Sequence, residues 1–186
     1  MPIQKISKED ILHKSREVFW RKGYFDTSMS ELAAACGLFK GSFYHHFSSK
    51  EALMVEILEM TRQELRADVF SIAENQSLTP PQRLSKMLIK LGKTLLLPDT
   101  GCFIGNTTIQ TAHQMPEFAH ILRGVFDDWR KAMALIFATR FSPEEAATLA
   151  DQTLMELQGA VMLSNLYKNQ DYLKDAFMRV TSRLGE

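Results

Sequence analysis

The sequence predicts an all-α protein of about nine helices, and three observations lead to this prediction. Apolar residues recur with the 3.6-residue period of a helix along most of the 186 residues. Several of these segments begin with Ser followed three positions later by Asp or Glu, a pattern that caps a helix. No segment shows the sustained alternation of apolar and polar residues that marks a half-buried strand.

Three helices are predicted within the first 50 residues. The first runs from Ser7 to Gly23 and the second from Ser28 to Gly37. Each starts at a hydroxyl cap and ends at a glycine, the residue best suited to a left-handed helix end. The third helix runs from about residue 39 to residue 47.

Six further helices complete the prediction. Ser48 and Glu51 are expected to cap the fourth, a long helix that reaches Glu74. Residues 98–101, with the sequence Pro-Asp-Thr-Gly, break the chain before a short helical segment at about residues 102–113. Prolines or caps mark the starts of the other four helices, at Thr79, Pro116, Ser142 and Asp171.

The composition is typical of a globular chain, with 45% hydrophobic and 24% charged residues, which excludes the disordered and fibrous classes. Cys36 and Cys102 lie far apart and outside any CxxC motif, which excludes a disulfide framework and a Cys-based zinc site. No signal peptide and no apolar run of about 20 residues is present, so we expect a cytoplasmic protein without membrane contact. Neither a metal site nor a cofactor is predicted.

Charge is unevenly distributed, although 22 Lys and Arg residues balance 22 Asp and Glu residues overall. The first 50 residues contain eight basic and five acidic side chains, which leaves an acidic excess for the rest of the chain. A basic end on an acidic body is typical of a protein that binds a polyanion at that end.

Residues 29–47 have the features of a helix-turn-helix. A short capped helix is followed by a turn at Gly37 and by a second short helix with a polar face. Ala33 and Ala34 are small enough to let the two helices pack closely. Four apolar residues are available for a minimal core: Leu32, Leu38, Phe43 and Phe47.

The stretch from Thr27 to Leu53 resembles the DNA-binding domain of the TetR family of bacterial transcriptional regulators. The resemblance rests above all on residues 40–53, which read KGSFYHHFSSKEAL. It implies a DNA-binding domain at residues 1–50 and a ligand-binding and dimerisation domain at residues 51–186, joined by the fourth helix from about residue 48. It also implies a homodimer that binds a pseudo-palindromic operator in double-stranded DNA through the helix at residues 39–47.

Nine residues are predicted to contact DNA, and they match the usual contact positions of the family. Lys40 begins the recognition helix, where its charge reaches a guanine edge or a phosphate, and Gly41 lets the backbone approach DNA closely. The other residues are assigned to base edges (Ser42 and His45), to phosphates (Tyr44 and His46) and to phosphates at helix N-termini (Thr27 or Ser28, and Lys50).

Phe39 departs from the family pattern, which has a small hydroxyl residue here that caps the recognition helix. A phenylalanine neither caps a helix nor forms a hydrogen bond to a phosphate. Two roles remain open for Phe39: contact with a thymine methyl group, or packing against Leu38 and the first helix.

The last two helices, at about residues 143–184, are predicted to form the homodimer interface. Their apolar residues exceed what a single core stripe requires, and small residues among them permit close helix crossing. These residues are Leu149, Leu154, Leu157, Val161, Tyr172, Phe177 and Val180, with the small residues Ala146, Ala147, Gly159 and Ala160. The alternative is that all of them face the core of their own subunit.

The middle helices are predicted to bind a small, largely apolar or reactive inducer. Methionine and aromatic side chains with a few amides suit such a ligand, although the same side chains also fill ordinary cores. The predicted ligand contacts are Cys102, Phe103, Asn106, Gln110, His113, Phe126, Trp129, Met133 and Gln158. Cys102 is either an inert buried thiol or, as in some family members with a similar Gly-Cys, a sensor of electrophiles or oxidants.

These observations predict a ligand-responsive transcriptional regulator, in the usual form a repressor, rather than an enzyme. Gly-rich phosphate loops, nucleophile elbows and HExxH motifs are missing from the sequence. The inducer is expected to favour a dimer whose DNA-binding heads do not fit the operator, with the helix at residues 51–74 pivoting as residues 102–113 move. The alternative is a helical ligand-binding or adaptor protein that has lost DNA binding.

Overall fold

The computed structural model describes residues 6–97 and 99–185, and nine α-helices account for most of them. The all-α prediction is therefore confirmed. Pro98, part of the predicted break, lies outside the described residues. The helices are α1 (Lys8–Lys22), α2 (Met29–Ala35), α3 (Lys40–His46), α4 (Lys50–Glu64), α5 (Pro80–Leu95), α6 (Phe103–Thr111), α7 (Pro116–Phe137), α8 (Pro143–Leu166) and α9 (Asp171–Ser182).

Capping boxes start α1, α2 and α8, as the sequence predicts. In each, a serine hydroxyl accepts a hydrogen bond from the backbone N–H three residues later, and the side chain of that later residue accepts one from the serine N–H. The pairs are Ser7 with Asp10, Ser28 with Glu31 and Ser142 with Glu145. The start of α4 differs from the prediction, because Ser49 rather than Ser48 accepts the bond from the Ala52 N–H, at 3.1 Å.

The predicted long fourth helix does not continue as an α-helix to Glu74. α4 ends at Glu64, and a π-helical segment (Leu65–Val69) and a 3-10 helix (Phe70–Glu74) follow it. A π-helical turn shifts the register of the residues after it. With this change of winding the 65–74 segment buries five apolar side chains: Leu65, Val69, Phe70, Ile72 and Ala73.

A short antiparallel pair of strands closes the turn between α5 and α6, where the sequence predicts none. Strand β1 (Leu96–Leu97) pairs with strand β2 (Gly101–Cys102), with Leu96 opposite Cys102. Asp99 and Gly101 have left-handed backbone conformations in this turn, with φ of 63° and 87°. Two residues per strand are too few to produce the alternating pattern by which strands are recognised in a sequence.

The described chain forms two compact units, each with its own core. The first consists of the residues up to Thr61 together with Asn106–Leu122, and the second of Arg62–Gly105 together with Arg123–Glu186. Most of α6 and the first turns of α7 therefore group with the N-terminal helices, which a boundary after residue 50 does not anticipate. Fully buried side chains of the first unit include Ile11, Leu32, Phe43, Leu53 and Phe118, and those of the second include Leu65, Leu84, Met87, Phe103 and Phe137.

Residues 6–97 and 99–185 contain neither a membrane-spanning helix nor a metal-binding cluster. No helix in these ranges is long and apolar enough to cross a membrane. The same ranges contain no group of three or more His, Cys, Asp or Glu side chains placed to hold a metal ion.

Candidate nucleic-acid interface and ligand cavity

The turn at Gly37 joins α2 to α3 and fixes which side of α3 faces outward. Gly37 has a φ of 70°, a left-handed conformation that glycine adopts without strain. The Leu38 N–H then donates to the Ala33 carbonyl at 2.9 Å. Phe43 and Phe47 are buried beneath α3, with their ring centroids 5.9 Å apart. These contacts leave the opposite side of α3 in solvent.

The outward side of α3 carries six of the nine predicted DNA contacts, and all six are exposed. They are Lys40, Gly41, Ser42, Tyr44, His45 and His46. α3 contains no acidic residue, so its outward side offers a cation, hydroxyl groups and imidazoles without a carboxylate among them. This is the combination of side chains that binds phosphates and base edges.

Gly41 is a glycine that the fold of this subunit does not require. A Cβ atom added at this position would meet no atom within 4 Å, and Gly41 lies inside α3 with no left-handed φ. A helix with glycine at an interior position is less stable than the same helix with alanine by about 0.5–1 kcal/mol. The missing side chain therefore leaves helical backbone open to approach from outside.

Phe39 lies in solvent at the start of α3. Its side chain is 88% exposed, and it makes no capping hydrogen bond. The predicted packing against Leu38 and the first helix is therefore wrong, because a packed ring would be covered. An exposed phenylalanine beside a polar surface leaves contact with a thymine methyl group as the role that remains of the two considered.

Lys50 and Thr27 hold the turn between α1 and α2 through their side chains, and their predicted phosphate contacts stay predictions. The Lys50 Nζ donates to the carbonyl oxygens of Tyr24 at 2.8 Å and Thr27 at 2.9 Å, and it lies 4.4 Å from the centre of the Tyr24 ring. The Thr27 side chain is buried, and its hydroxyl donates to the Gly23 carbonyl at 2.7 Å. Both polar groups are thus used within the subunit.

Ser28 remains exposed, but its hydroxyl already serves as the cap of α2. Glu31, its capping partner, also forms an ion pair with Lys22. The hydrogen bond from Lys22, followed by those from Ser28, lowers the pKa of Glu31 to about 2. The carboxylate is therefore ionised at neutral pH, and a phosphate at Ser28 would lie beside this negative charge.

The turn after α1 is also tied to α6 and α7 within the first unit. The Tyr24 N–H donates to Gln110 Oε1 at 2.9 Å, and the Tyr24 ring meets Phe118 edge-to-face at 5.2 Å. Gly23, with a φ of 83°, makes room for the amide, since a Cβ there would lie 2.7 Å from Gln110 Nε2. Burial and a hydrogen bond to Glu51 raise the pKa of Tyr24, so its hydroxyl stays a donor.

The second unit contains a cavity of about 210 Å³ lined by residues of α5, α7, α8, α9 and the strand pair. Its wall consists mainly of leucine, isoleucine, valine and phenylalanine side chains. Three of the nine predicted ligand contacts line it: Cys102, Trp129 and Gln158. Leu157, Val161 and Phe177, which the sequence assigns to a dimer interface, also line this cavity.

The other six predicted ligand contacts do not line the cavity. Gln110, on α6, accepts a hydrogen bond from the turn after α1, as described above. Phe126 stacks on Trp129, with ring centroids 6.4 Å apart. Of the rest, Phe103 and Met133 are buried, Asn106 is half-buried and His113 is exposed.

Cys102 is a buried thiol held by two hydrogen bonds. The Gln158 Nε2 donates to its Sγ at 3.6 Å, and the Gly105 N–H does so at 3.4 Å. Burial raises the pKa of Cys102, so the nucleophilic thiolate is disfavoured. Of the two roles considered for Cys102, these surroundings favour the inert thiol. Gly105 gives the amide its place, because a Cβ there would lie 2.6 Å from Gln158 Oε1.

A stripe of exposed apolar residues follows one side of α8, and we call it the α8 stripe. It consists of Met155, Met162 and Leu166, with Gly159 between the first two. Spacings of four, three and four residues place all four positions on one helix face. A Cβ at Gly159 would meet no atom within 4 Å.

The α8 stripe is not the set of residues that the sequence assigns to the dimer interface. Tyr172 is the one large apolar residue of that set that is exposed, and its ring stacks on exposed Tyr167 at 5.7 Å. The rest of the set divides by burial: Ala146, Leu157, Ala160 and Val180 are buried, Leu149, Leu154, Gly159, Val161 and Phe177 are half-buried, and Ala147 is exposed.

Two family models match separate parts of the chain. Residues 11–57 match the family model "Bacterial regulatory proteins, tetR family", and residues 80–178 match the C-terminal domain of LmrA/YxaF-like transcriptional regulators. The chain belongs to the TetR family. This TetR-family chain is a transcriptional regulator and not an enzyme, as the sequence predicts.

Relatives of this TetR-family chain extend over nearly its full length. It is 28% identical over 179 residues to the HTH-type transcriptional repressor DhaR of Mycobacterium sp. (strain GP1), which covers 93% of this chain and 89% of the relative. It is 25% identical over 168 residues to the HTH-type transcriptional regulator YxaF of Bacillus subtilis (strain 168), covering 88% and 87%. A TetR transcriptional regulator from Legionella pneumophila has the same fold, with a TM-score of 0.88 at 20% identity over 98% of this chain and 99% of that one.

Proposed function

We propose that this TetR-family regulator is a cytoplasmic repressor that binds a pseudo-palindromic operator as a homodimer. A small, largely apolar inducer in the cavity of the second unit releases it from DNA. The observation that carries the DNA-binding part is the outward side of α3, where six polar or glycine positions of the family pattern are exposed together. The repressor named among its relatives supports the direction of regulation.

On the operator, α3 enters the major groove and its residues divide the contacts. Lys40 reaches a guanine edge or a phosphate from the first turn of the helix. Ser42 and His45 are one turn apart and read base edges, while Tyr44 and His46 bind phosphates. Gly41 allows the helix backbone to lie close to the DNA.

The homodimer is built on the α8 stripe, with Tyr167 and Tyr172 beside it. Exposed apolar residues in a continuous stripe are characteristic of a protein interface. Gly159 permits a second helix to cross close to α8, because its position is open. Two subunits held in this way present two α3 helices to half-sites that lie about 34–36 Å apart.

The inducer acts through α6. Cys102 lines the cavity and α6 starts at the next residue, whereas Gln110 near the other end of α6 holds the turn after α1. A shift of α6 on ligand binding therefore moves the hydrogen bond between Gln110 and Tyr24. For release, the inducer must prefer the state that does not bind DNA, and a hundredfold preference amounts to about 2.7 kcal/mol.

The deciding experiment measures DNA affinity by fluorescence anisotropy with duplexes from the region upstream of the gene and from a random operator library. The wild-type protein is expected to bind a specific duplex, with an affinity that falls steeply with salt. Replacing Lys40 and Tyr44 together by alanine should lower that affinity about a hundredfold or more, because each contact contributes about 1–3 kcal/mol. Lys86→Ala, which removes an exposed lysine of the second unit, serves as the matched control and should bind normally.

The alternative, a ligand-binding or adaptor protein without DNA affinity, predicts a different result. It requires that the wild-type protein binds none of the duplexes even at low salt. A double variant that binds as tightly as the Lys86→Ala control would also contradict the proposed role of α3.

A further inference from the structure

Among the described residues, two other than glycine have left-handed backbone conformations, and an ion pair joins them. Asp99 has a φ of 63° and Lys168 a φ of 52°. The Lys168 Nζ donates to Asp99 Oδ1 at 2.7 Å. A left-handed conformation is unfavourable for a residue that carries a Cβ, and such residues are concentrated at functional positions of proteins. The meeting of these two side chains indicates a role for the pair.

Lys168 stands at a helix end where glycine is the usual residue. It follows the end of α8, and there the Asn169 N–H donates to the Ser164 carbonyl at 3.1 Å. This hydrogen bond spans five residues, as in the Schellman motif, whose left-handed position is most often glycine. Glycine would avoid the strain but has no side chain to form the ion pair. The side chain of Lys168, rather than its backbone, therefore explains the residue.

The ion pair connects two elements that line a second cavity of the second unit. This cavity has a volume of about 220 Å³. Leu96 and Gly101 of the strand pair line it from one element, and Asn165 and Gln170, at the end of α8 and in the loop after it, line it from the other. The ion pair joins the turn of the same strand pair to the same loop. It therefore ties two walls of the second cavity together.

The second cavity adjoins the cavity assigned to the inducer. Three residues line both cavities: Leu96, Val161 and Leu173. The cavities also meet at strand β2, where Gly101 lines the second cavity and the next residue, Cys102, lines the first. Gln170 is exposed, so the second cavity reaches the surface. Its amide side chains suit water, whereas the wall of the first cavity is mainly apolar.

We propose that ligands enter the first cavity through the second, and that the ion pair between Asp99 and Lys168 is a strap that opens to let them pass. Opening separates the turn of the strand pair from the loop between α8 and α9 and uncovers the path past Gly101 to Cys102. The route rests on the proposed function, because it leads to the cavity assigned to the inducer. Neither side chain of the strap lines that cavity, so the strap sets the rates of entry and exit rather than the affinity.

The thiol of Cys102 reports passage along this route without a known inducer. The probe is N-ethylmaleimide, a small uncharged reagent that adds a thiol across its double bond. The full-length Cys36→Ala protein keeps Cys102 as its one thiol, and mass spectrometry follows its labelling over time. In this parent protein, Asp99→Asn and Lys168→Asn should each label about twofold to fivefold faster, the effect of losing an exposed ion pair. Asparagine tolerates the left-handed conformation, so the backbone is kept.

Lys168→Gly separates the strap from a general loosening of the fold. Glycine removes the left-handed strain, so this variant should unfold at the same or a higher temperature and yet label faster than the parent protein. Exchange of the pair, Asp99→Lys with Lys168→Asp, should restore slow labelling because the ion pair forms again. Lys174→Gln is the matched control, since Lys174 pairs with Asp171 within α9 and joins no two elements. It should label at the rate of the parent protein.

Salt provides a further check, because it screens an exposed ion pair. Sodium chloride at about 1 M should speed the labelling of the parent protein but not that of Asp99→Asn. The strap is overturned if Asp99→Asn and Lys168→Asn label at the parent rate, if the exchanged pair labels as fast as either of them, or if salt speeds the parent protein and Asp99→Asn equally. None of these measurements involves DNA, so the strap can fail in a protein that binds its operator and hold in one that does not.

Discussion

The outward side of α3 and the α8 stripe are both exposed, but they differ in the chemistry that they present to solvent. α3 is seven residues long and displays lysine, serine, tyrosine and histidine side chains without a carboxylate. α8 is 24 residues long and displays methionine and leucine along one face. The first surface can bind a polyanion with little apolar burial, whereas the second is stabilised only when another apolar surface covers it. Exposure alone thus identifies neither partner, and the polarity of the exposed face distinguishes them.

The glycines of the two surfaces differ from the glycines inside the fold. Gly41 and Gly159 have open space where a Cβ would be, so the isolated subunit gives no reason for either. At Gly23 and Gly105, by contrast, a Cβ would lie within 3 Å of a neighbouring amide. At these two positions the open backbone would let a molecule outside the subunit approach closely, as the proposed DNA and dimer contacts require.

The largest expected effect comes from placing a charge in the α8 stripe. Leu166→Asp should weaken the dimer by about 3 kcal/mol, more than a hundredfold, because an unpaired carboxylate would be buried in the interface. Light scattering after size-exclusion chromatography measures the mass, and operator affinity should fall along with it. Leu135→Asp, at an exposed leucine of α7, is the matched control and should remain dimeric. A dimeric Leu166→Asp protein would place the interface elsewhere.

Effects of intermediate size are expected at the two open glycines, where alanine should stabilise the subunit but weaken its binding to a partner. Gly41→Ala and Gly159→Ala should each raise the free energy of unfolding of the subunit by about 0.5–1 kcal/mol, as alanine favours a helix over glycine. Gly41→Ala should weaken operator binding about tenfold without changing the dimer, whereas Gly159→Ala should weaken the dimer. Urea titrations, anisotropy and sedimentation measure the three quantities. If both variants are more stable but operator affinity and dimer affinity are unchanged, these glycines have no role in recognition.

The smallest expected effect concerns Phe39. Phe39→Ala should lower the affinity for the preferred operator about threefold to fivefold, because one apolar contact with a thymine methyl group is lost. Phe39→Ser is expected to lose the same contact while it adds a cap to α3, which stabilises a helix by about 1 kcal/mol. Selection of operators from a random library should show that both variants relax the preference at one thymine position. An unchanged preference would mean that Phe39 does not read the DNA.

The sequence predicts local features of this chain better than contacts between distant residues. The caps at Ser7, Ser28 and Ser142 were predictable, because each depends on two residues three positions apart. The exposed side of α3 was predictable for the same reason, since Phe43 and Phe47 mark the buried side. The role of Lys50 was not predictable, because its carbonyl partners lie more than 20 residues away in the sequence and no local pattern indicates them.

The apolar residues of α8 and α9 show a second limit of the sequence. When a helix has more than one apolar stripe, its sequence does not indicate which stripe faces the core, which lines a cavity and which faces solvent. Val161 and Phe177 line the cavity, whereas Met155 and Leu166 are exposed, although all four are apolar and lie on the same two helices. The choice depends on the packing of α5, α7 and the strand pair around them.

Lys50 behaves in this fold like a metal ion held by main-chain oxygen atoms. Its ammonium group donates hydrogen bonds to three carbonyl oxygens, those of Tyr24, Phe25 and Thr27. These bonds attach the loop between α1 and α2 to the first turn of α4. The path of the chain from α1 into α2 is thus held by a single covalently attached cation. A lysine at a predicted DNA-contact position in this way also shapes the loop that leads into the helix-turn-helix.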